Sequence, residues 1–318
     1  MRFLFSLWFL LPLTIILAFT SLFVGVTDIS LFGLLKGLHE DVFIISRIPR
    51  TITIIISGAS LSICGLIMQQ LTQNKFVSPT TAGTMDCAKF GILISIIFFS
   101  THSFISQVLV SSFFALLGSL IFIQILNNIK LKDVIFIPLI GLMFGGIINS
   151  ITTFFAYQLN LIQNMQIWLQ GNFSNIMQGS YELIYISLPL LLLAYLYANK
   201  ITIAGMGEEM AVNLGLSYKF ILNLGLIIVS IITAIIILTV GVIPFLGLIV
   251  PNIISIYRGD NIRANILNIA LLGSCFLLLC DIFSRLIIYP FEIPIGLTVG
   301  VIGSFIFISL LLRNKHYA

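Results

Sequence analysis

The chain has 318 residues, of which 59% are hydrophobic and only 8% are charged. A water-soluble protein of this length needs far more charged surface, so the composition excludes an ordinary soluble fold and predicts an integral membrane protein. The formal net charge is +4, but the 15 Lys and Arg residues are spread over many loops. Because they form no basic cluster, the charge gives no support to nucleic-acid binding.

Ten apolar segments can each cross a hydrocarbon core about 30 Å thick. They are residues 3–24, 49–71, 82–100, 105–127, 134–157, 182–199, 220–239, 243–257, 265–285 and 295–312. The eighth is short and carries Pro244 and Pro251, which interrupt helices. No stretch is long and polar enough for a separate soluble domain. We therefore predict an all-α polytopic membrane protein with about ten transmembrane helices that form one compact domain over residues 1–318.

The first segment resembles a secretion signal because Arg2 precedes an apolar run. The run is long for a signal and no clear cleavage site follows, so we expect a retained first helix. With Arg2 in the cytoplasm, ten helices place both termini there and gather ten of the 15 Lys and Arg residues on the inner side, as the positive-inside rule requires. The outer segment 25–47 is partly amphipathic and is predicted to lie along the membrane surface.

The sequence lacks the common motifs of catalytic, nucleotide-binding and metal-binding sites. The four cysteines have no paired spacing, and the sequence has no phosphate-binding loop and no recognisable hydrolase or metalloprotease motif. We therefore expect no catalytic site, no cofactor and no metal site. Ion-driven carriers usually keep ionisable residues near the membrane midplane. Here the candidates are only Asp86 with Lys89 and Asp281 with Arg285, at spacings that allow helical ion pairs.

If the chain moves a solute uphill, another polypeptide must supply the energy. The segment 200–219 is the longest predicted cytoplasmic loop. Glycines bracket a possible short helix near 207–214, with Glu208 and Glu209 in its first turn, where the helix dipole favours anions. This loop is the best candidate for docking such a polypeptide.

The second helix begins on the predicted outer side with Arg47-Ile-Pro-Arg50. Pro49 suits a first helical position, but two cations at a helix amino terminus are electrostatically unfavourable. One interpretation is that both arginines reach lipid headgroups. The other is that they bind carboxylates of an external partner, together with Arg285 at the same level.

Three blocks of sequence resemble the permease subunits of type II ABC importers for iron–siderophore complexes, haem and cobalamin. The blocks are 47–91, 241–260 and 281–303. Their matching positions are Arg47, Pro49, Arg50, Gly58, Gly65, Gln69, Asn74, Pro79, Gly83 and Gly91; Gly241, Pro244, Gly247, Pro251, Arg258 and Asp260; and Asp281, Arg285, Glu292, Pro294, Gly296 and Gly303. The similarity covers nearly the whole chain.

The resemblance implies a role for two sets of residues. Arg47, Arg50 and Arg285 match arginines that contact acidic residues of the solute-binding protein. A second set matches the coupling helix that fits a groove in the ATPase: Gly207, Glu208, Glu209, Ala211, Leu214 and Gly215. The resemblance further implies pairing with a second permease and a translocation path lined partly by helices at 134–157 and 295–312.

The sequence around Gln69 and Pro79 is most similar to that of the ferric-siderophore branch, notably importers of catecholate-type chelates. That branch often uses two different permeases, so a heterodimer in the cytoplasmic membrane is expected. The sequence departs from the family pattern at two sites: Asn252 replaces a frequent His, and the dipeptide Asp86-Cys87 replaces small residues. Haem or cobalamin import, an ATP-independent secondary carrier and an intramembrane enzyme are the alternatives.

Overall fold

The computed structural model describes residues 2–25, 40–98, 104–129, 136–163, 165 and 170–314. Within these ranges the chain is helical and contains no β-strand. We label the twelve principal α-helices of the described ranges in chain order. They are α1 Leu7–Phe23, α2 Ile48–Leu71, α3 Thr84–Phe98, α4 Phe104–Asn128, α5 Phe136–Gln158, α6 Ser187–Leu196, α7 Ala198–Ala204, α8 Glu208–Asn213, α9 Tyr218–Thr239, α10 Leu246–Arg258, α11 Ile262–Leu286 and α12 Ile295–Asn314.

Each of the ten predicted segments contains a helix, which confirms the all-α membrane fold. Among the described residues, five helices are long and apolar enough to cross a bilayer: α2 with its preceding turns, α4, α5, α9 and α11. The α1, α10 and α12 helices are apolar but shorter. The predicted surface helix of segment 25–47 lies mostly outside the described residues. Its last part, from Glu40, runs directly into α2 through a π-helical turn at Phe43–Arg47.

The sixth predicted segment is not one straight crossing. The helical stretches Glu182–Leu196 and Ala198–Ala204 are bent by 63° relative to each other. The apolar run ends at Ala198 and is followed by Asn199 and Lys200. Polar side chains at that point favour the membrane surface over the hydrocarbon, so the chain turns there.

The centre of the bundle is α2, which packs against α9, α10 and α11. Its most apolar stretch is 83% buried. Two glycines bring the backbones together: a methyl group at Gly65 would lie 1.8 Å from the backbone oxygen of Gly247, and one at Gly58 would lie 2.7 Å from that of Gly273. Small residues give such close contacts because lipid supplies no hydrophobic force to hold helices together.

The α5 helix lies at the periphery, and only 22% of its most apolar stretch is buried. It packs mainly on α3, through Gly141 and Gly145, as the Gly-x-x-x-Gly spacing favours. A methyl group at Gly141 would lie 2.1 Å from the backbone oxygen of Thr81, and one at Gly145 would lie 2.6 Å from the carboxylate of Asp86. The rest of the helix surface is left uncovered by the described residues of this chain.

The bundle has two ends. The arginine end carries the last residues of α1, the first turn of α2 and the last turn of α11. The terminal end carries the amino-terminal residues of the chain and the last turns of α10 and α12. There Phe5 stacks on Tyr257 with ring centroids 4.5 Å apart, and Phe76 meets Phe307 at 6.1 Å.

The loop between α2 and α3 is fastened to the terminal end by polar contacts. Lys75 Nζ lies 3.0 Å from Asp260 Oδ1, and Asn252 Nδ2 donates to the Lys75 backbone oxygen over 2.8 Å. Asn252 therefore has a structural role at the position where it departs from the family pattern.

Candidate functional site

The arginine end gathers the three arginines singled out in the sequence. Arg50 Nη2 lies 2.7 Å from Asp281 Oδ1, and Arg50 Nη1 lies 2.8 Å from Glu292 Oε2. Arg285 forms the expected i, i+4 ion pair with the other oxygen of Asp281. We call Arg47, Arg50, Arg285, Asp281 and Glu292 the arginine cluster.

The cluster is buried. The exposed fraction of the side chain is 9% for Arg50, 1% for Arg285 and 0% for Asp281. Arg47 is also buried. Buried charges persist in proteins when they are paired and hydrogen-bonded. Asp281 meets this condition because it holds two guanidinium groups at once.

Two of the arginines also secure the end of α1. Arg47 Nη1 and Arg285 Nη1 both donate to the backbone oxygen of Val24. Arg285 further donates to the backbone oxygen of Ser21 over 3.0 Å and to its hydroxyl over 2.7 Å. The last carbonyls of a helix lack partners within the helix, and cations are favourable beside them. These contacts join α1, α2 and α11.

Glu292 forms the outer side of the cluster, on the segment between α11 and α12. Its side chain is 22% exposed, and the Ser174 hydroxyl lies 2.7 Å from Oε2. Burial opposes ionisation of this carboxyl, but Arg50 and the Ser174 hydroxyl outweigh it and hold its pKa below the ordinary value of 4.5. The contact therefore stabilises the fold at neutral pH, and this stabilisation is lost as the pH falls below 4.5 through the lowered pKa.

Sequence reasoning placed the three arginines together but missed the carboxylates that hold them. Asp281 was recognised only as a partner of Arg285, four residues away. Arg50 is 231 residues from Asp281 and 242 from Glu292 along the chain. Arg50, Asp281 and Glu292 all lie at or beside the outer ends of predicted helices. That shared level in the membrane could have predicted the contact.

The predicted short helix at the terminal end is present as α8, Glu208–Asn213. Gly207 with φ of +108° and Gly215 with φ of +77° flank it, and both values favour glycine. Glu208 and Glu209 are exposed in its first turn, as expected. Ala211 is buried against the bundle, whereas Leu214 is exposed. A short helix thus stands on the protein surface with acidic and apolar side chains available to a partner.

The α8 helix is connected to the centre of the bundle. A methyl group at Gly205 would lie 2.3 Å from Gln70 Oε1, so the turn before α8 rests on the last turn of α2. The arginine cluster begins at the other end of the same helix. Both candidate regions therefore touch α2.

The open surface of α5 carries a row of polar residues in the apolar helix. Asn149, Ser150 and Thr153 are exposed, and no described residue lies within 4 Å of a methyl group at Gly146. Asn149 and Ser150 follow Gly146 by three and four residues, and Thr153 follows them by four and three, so all lie on one face. The Ser150 and Thr153 hydroxyls donate to the backbone oxygens of Gly146 and Asn149, both over 2.8 Å, which leaves the Asn149 amide as the group that favours contact with protein or water on this face.

No three His, Cys, Asp or Glu side chains of the described ranges are grouped as a metal site requires. The Asp86–Lys89 pair predicted from spacing is present, with Nζ 2.9 Å from Oδ1. It packs beside Gly145 of α5.

Comparison with known proteins gives matches along nearly the whole chain. The petrobactin import system permease protein YclN of Bacillus subtilis is 58% identical over 316 residues, covering 98% of this chain and 100% of the relative. The ferric-anguibactin transport system permease protein FatD of Vibrio anguillarum is 40% identical over 298 residues, covering 93% and 95%.

A solved structure titled as an inward-facing metal-chelate type ABC transporter shares the fold. Its TM-score is 0.81 at 22% identity, and the match covers 96% of this chain and 97% of that one. The family model described as the FecCD transport family matches residues 13–313. The chain belongs to the FecCD transport family, and its fold is that of an ABC importer permease.

Proposed function

We propose that this chain is the permease subunit of an ABC importer that moves an iron(III)–siderophore complex across the cytoplasmic membrane. It acts as one transmembrane unit without catalysis or cofactor of its own, and a separate ATPase drives it. The observation that carries the proposal is the placement of a cationic cluster at one end of the bundle and an exposed short helix at the other. Siderophore cargo is favoured over haem or cobalamin by the names of the relatives with 58% and 40% identity.

The arginine cluster is the docking site for the extracellular solute-binding protein. Among the described residues, three guanidinium groups lie together there beside the carboxylates of Asp281 and Glu292. This concentration of guanidinium groups attracts an acidic partner surface. Arg47, Arg50 and Arg285 are the residues that receive its carboxylates.

The α8 helix with its flanking glycines is the coupling helix that binds the ATPase. Gly207 and Gly215 turn the chain sharply, Glu208 and Glu209 offer charge, Ala211 fixes the helix to the bundle, and Leu214 offers an apolar contact. A movement of the ATPase then reaches α2 through the contact of Gly205 with Gln70.

A second permease subunit covers the exposed face of α5. The polar row of Asn149, Ser150 and Thr153 fits a path between two subunits better than a lipid boundary. The path is lined by α5 and α12, and we favour a heterodimer.

Charge reversal tests the docking role. In proteoliposomes containing the complete importer, Arg47→Glu with Arg50→Glu should abolish uptake and docking of the binding protein. Because Arg50 is a buried partner of Asp281, the comparison uses only the assembled fraction of the variant, isolated by size-exclusion chromatography before reconstitution. Arg263→Glu is the matched control, because Arg263 is an exposed cation at the terminal end. Normal docking by the assembled double variant refutes the role.

Replacement of Glu208–Gly215 by a flexible linker tests the coupling role. ATP hydrolysis should continue, but transport should stop. Retained coupling contradicts the assignment. The same vesicles distinguish a secondary carrier, since uptake by such a carrier would survive ATP depletion and collapse with the proton gradient.

A further inference from the structure

The two carboxylates of the arginine cluster differ in how firmly they are held. Asp281 is fully buried and binds both Arg50 and Arg285. Glu292 is 22% exposed and binds Arg50 through Nη1. A buried anion between two cations is costly to remove, whereas a partly exposed anion paired with one cation costs less. Asp281 is therefore the fixed counterion and Glu292 the exchangeable one.

We propose that Glu292 is an internal competitor that occupies Arg50 until a carboxylate of the docking partner displaces it. This inference rests on the proposed docking role of the arginines. It explains how buried arginines receive an external partner: the partner's carboxylate takes the position that Glu292 holds in the free permease.

The geometry of the guanidinium supports the exchange. Arg50 Nε and Nη2 both donate to Asp281 Oδ1, over 3.2 and 2.7 Å, which leaves Nη1 for Glu292. A guanidinium presents its donors in a fixed planar fork, so one edge stays bound while the other changes partner. Arg50 thus keeps its position during docking.

The Ser174 hydroxyl, which also binds Glu292, has another acceptor when Glu292 is displaced. The Ser174 hydroxyl lies 2.7 Å from both Glu292 Oε2 and Asn172 Oδ1. The hydroxyl has a single proton, so it can donate to only one of the two acceptors at a time. The partially exposed Glu292 side chain can therefore turn toward solvent without leaving a buried unpaired group.

Electrostatics favours the exchange once the partner arrives. In the free cluster, Glu292 offsets one positive charge at Arg50. When Glu292 turns away, the cluster becomes more positive by one charge, and an incoming carboxylate offsets that charge again. The competitor thus lowers docking affinity but shields the cations when no partner is present.

The exchange takes place beside the start of α12. Ile293 N donates to Ser284 O over 3.1 Å, and Gly296 N donates to Gly171 O over 3.1 Å. The segment that carries Glu292 is therefore attached to α11 on one side and to the 170–174 segment on the other. A label at the exposed Phe291 reports its displacement without touching the cluster.

The experiment measures docking affinity of the cognate binding protein on the complete importer in nanodiscs. Glu292→Gln removes the competing charge, and we expect docking about three to ten times tighter, since Glu292 is the partly exposed member of the pair. Glu182→Gln is the control: this exposed carboxylate lies on the same side but accepts from the backbone N–H of Gly179. It should change affinity less than about twofold.

Ser174→Ala gives a second, milder test that leaves every charge in place. It loosens Glu292 and should tighten docking in the same direction by a smaller factor. A label at Phe291 should also change its signal on docking in the wild type but not in Glu292→Gln. Unchanged or weaker docking by both variants refutes the proposal that Glu292 competes with the partner for Arg50. Normal docking by the double variant Arg47→Glu with Arg50→Glu instead refutes the docking role of the arginines. The failure of the competitor proposal and the failure of the docking role are therefore distinguishable.

Discussion

Helices α2 and α5 both carry glycine, serine and threonine, yet they have opposite surroundings. The α2 helix uses Gly58 and Gly65 to touch α11 and α10, and its serines are buried. The α5 helix buries Gly141 and Gly145 but exposes Asn149 and Thr153. Small and polar residues in a membrane helix therefore indicate contact with protein, but they do not tell whether that protein is the same chain.

The largest effect is expected from the charges at the start of α2. Asp281→Asn leaves Arg50 and Arg285 without their buried counterion, and breaking such a pair typically costs about 3–5 kcal/mol. Thermal unfolding of the purified protein in detergent measures the loss. The control is Asp260→Asn, whose pair with Lys75 is exposed and worth below about 1 kcal/mol. Equal effects of the two variants would contradict the burial of the cluster.

The glycines of the two helices give the next contrast. Gly65→Ala forces a methyl group against the Gly247 backbone, and such overpacking typically costs about 1–3 kcal/mol. Gly146→Ala places the methyl group in open space on α5 and should not lower stability of the single subunit. Unfolding midpoints of both variants test this. A tolerated Gly65→Ala would show that α2 and α10 can separate at small cost.

A smaller effect is expected where a charged pair adjoins α5. Asp86→Asn removes the partner of Lys89, which is buried, whereas the Asp86 side chain is 21% exposed, so the cost should lie below that of Asp281→Asn, at about 1–2 kcal/mol. The measurement is again thermal unfolding. A loss as large as that of Asp281→Asn would mean that this pair, too, is a buried structural element.

Thiol labelling perturbs the helices least, and it compares directly how accessible α5 and α2 are to water. Asn149→Cys on α5 should react with a charged, water-soluble thiol reagent in the assembled importer if the polar row lines an aqueous path. Ser60→Cys on α2 should not react, because Ser60 is buried. The four native cysteines are buried, so the background should be low. Absence of labelling at residue 149 in open and closed states would assign that face to a dry subunit contact.

Local pattern was sufficient for the helices and for contacts within a turn. The apolar run 49–71 corresponds to α2 at Ile48–Leu71, and the i, i+4 pair of Asp281 and Arg285 is present. The bracketing glycines predicted α8 to within one residue at each end.

Contacts between residues that are far apart in the chain could not be predicted from the sequence. The partners of Arg50 depend on how α2 packs on α11 and on the segment around residue 292, and no local spacing encodes that. The bend at Tyr197 was also missed, because hydropathy measures the length of an apolar run and not its direction. Burial of the arginines follows from the same long-range packing.

One feature of α2 links the two ends of the molecule mechanically. Its 24 residues form one uninterrupted helix of roughly 36 Å, with Arg50 in the first turn and Gln70 in the last. Along its side it is fastened to α11: the Ser274 hydroxyl donates to the Ile55 backbone oxygen over 2.8 Å, and Arg50 holds Asp281. The two helices therefore move as one unit, so a tilt of this pair shifts the Gln70 contact beneath α8 and the arginine cluster together.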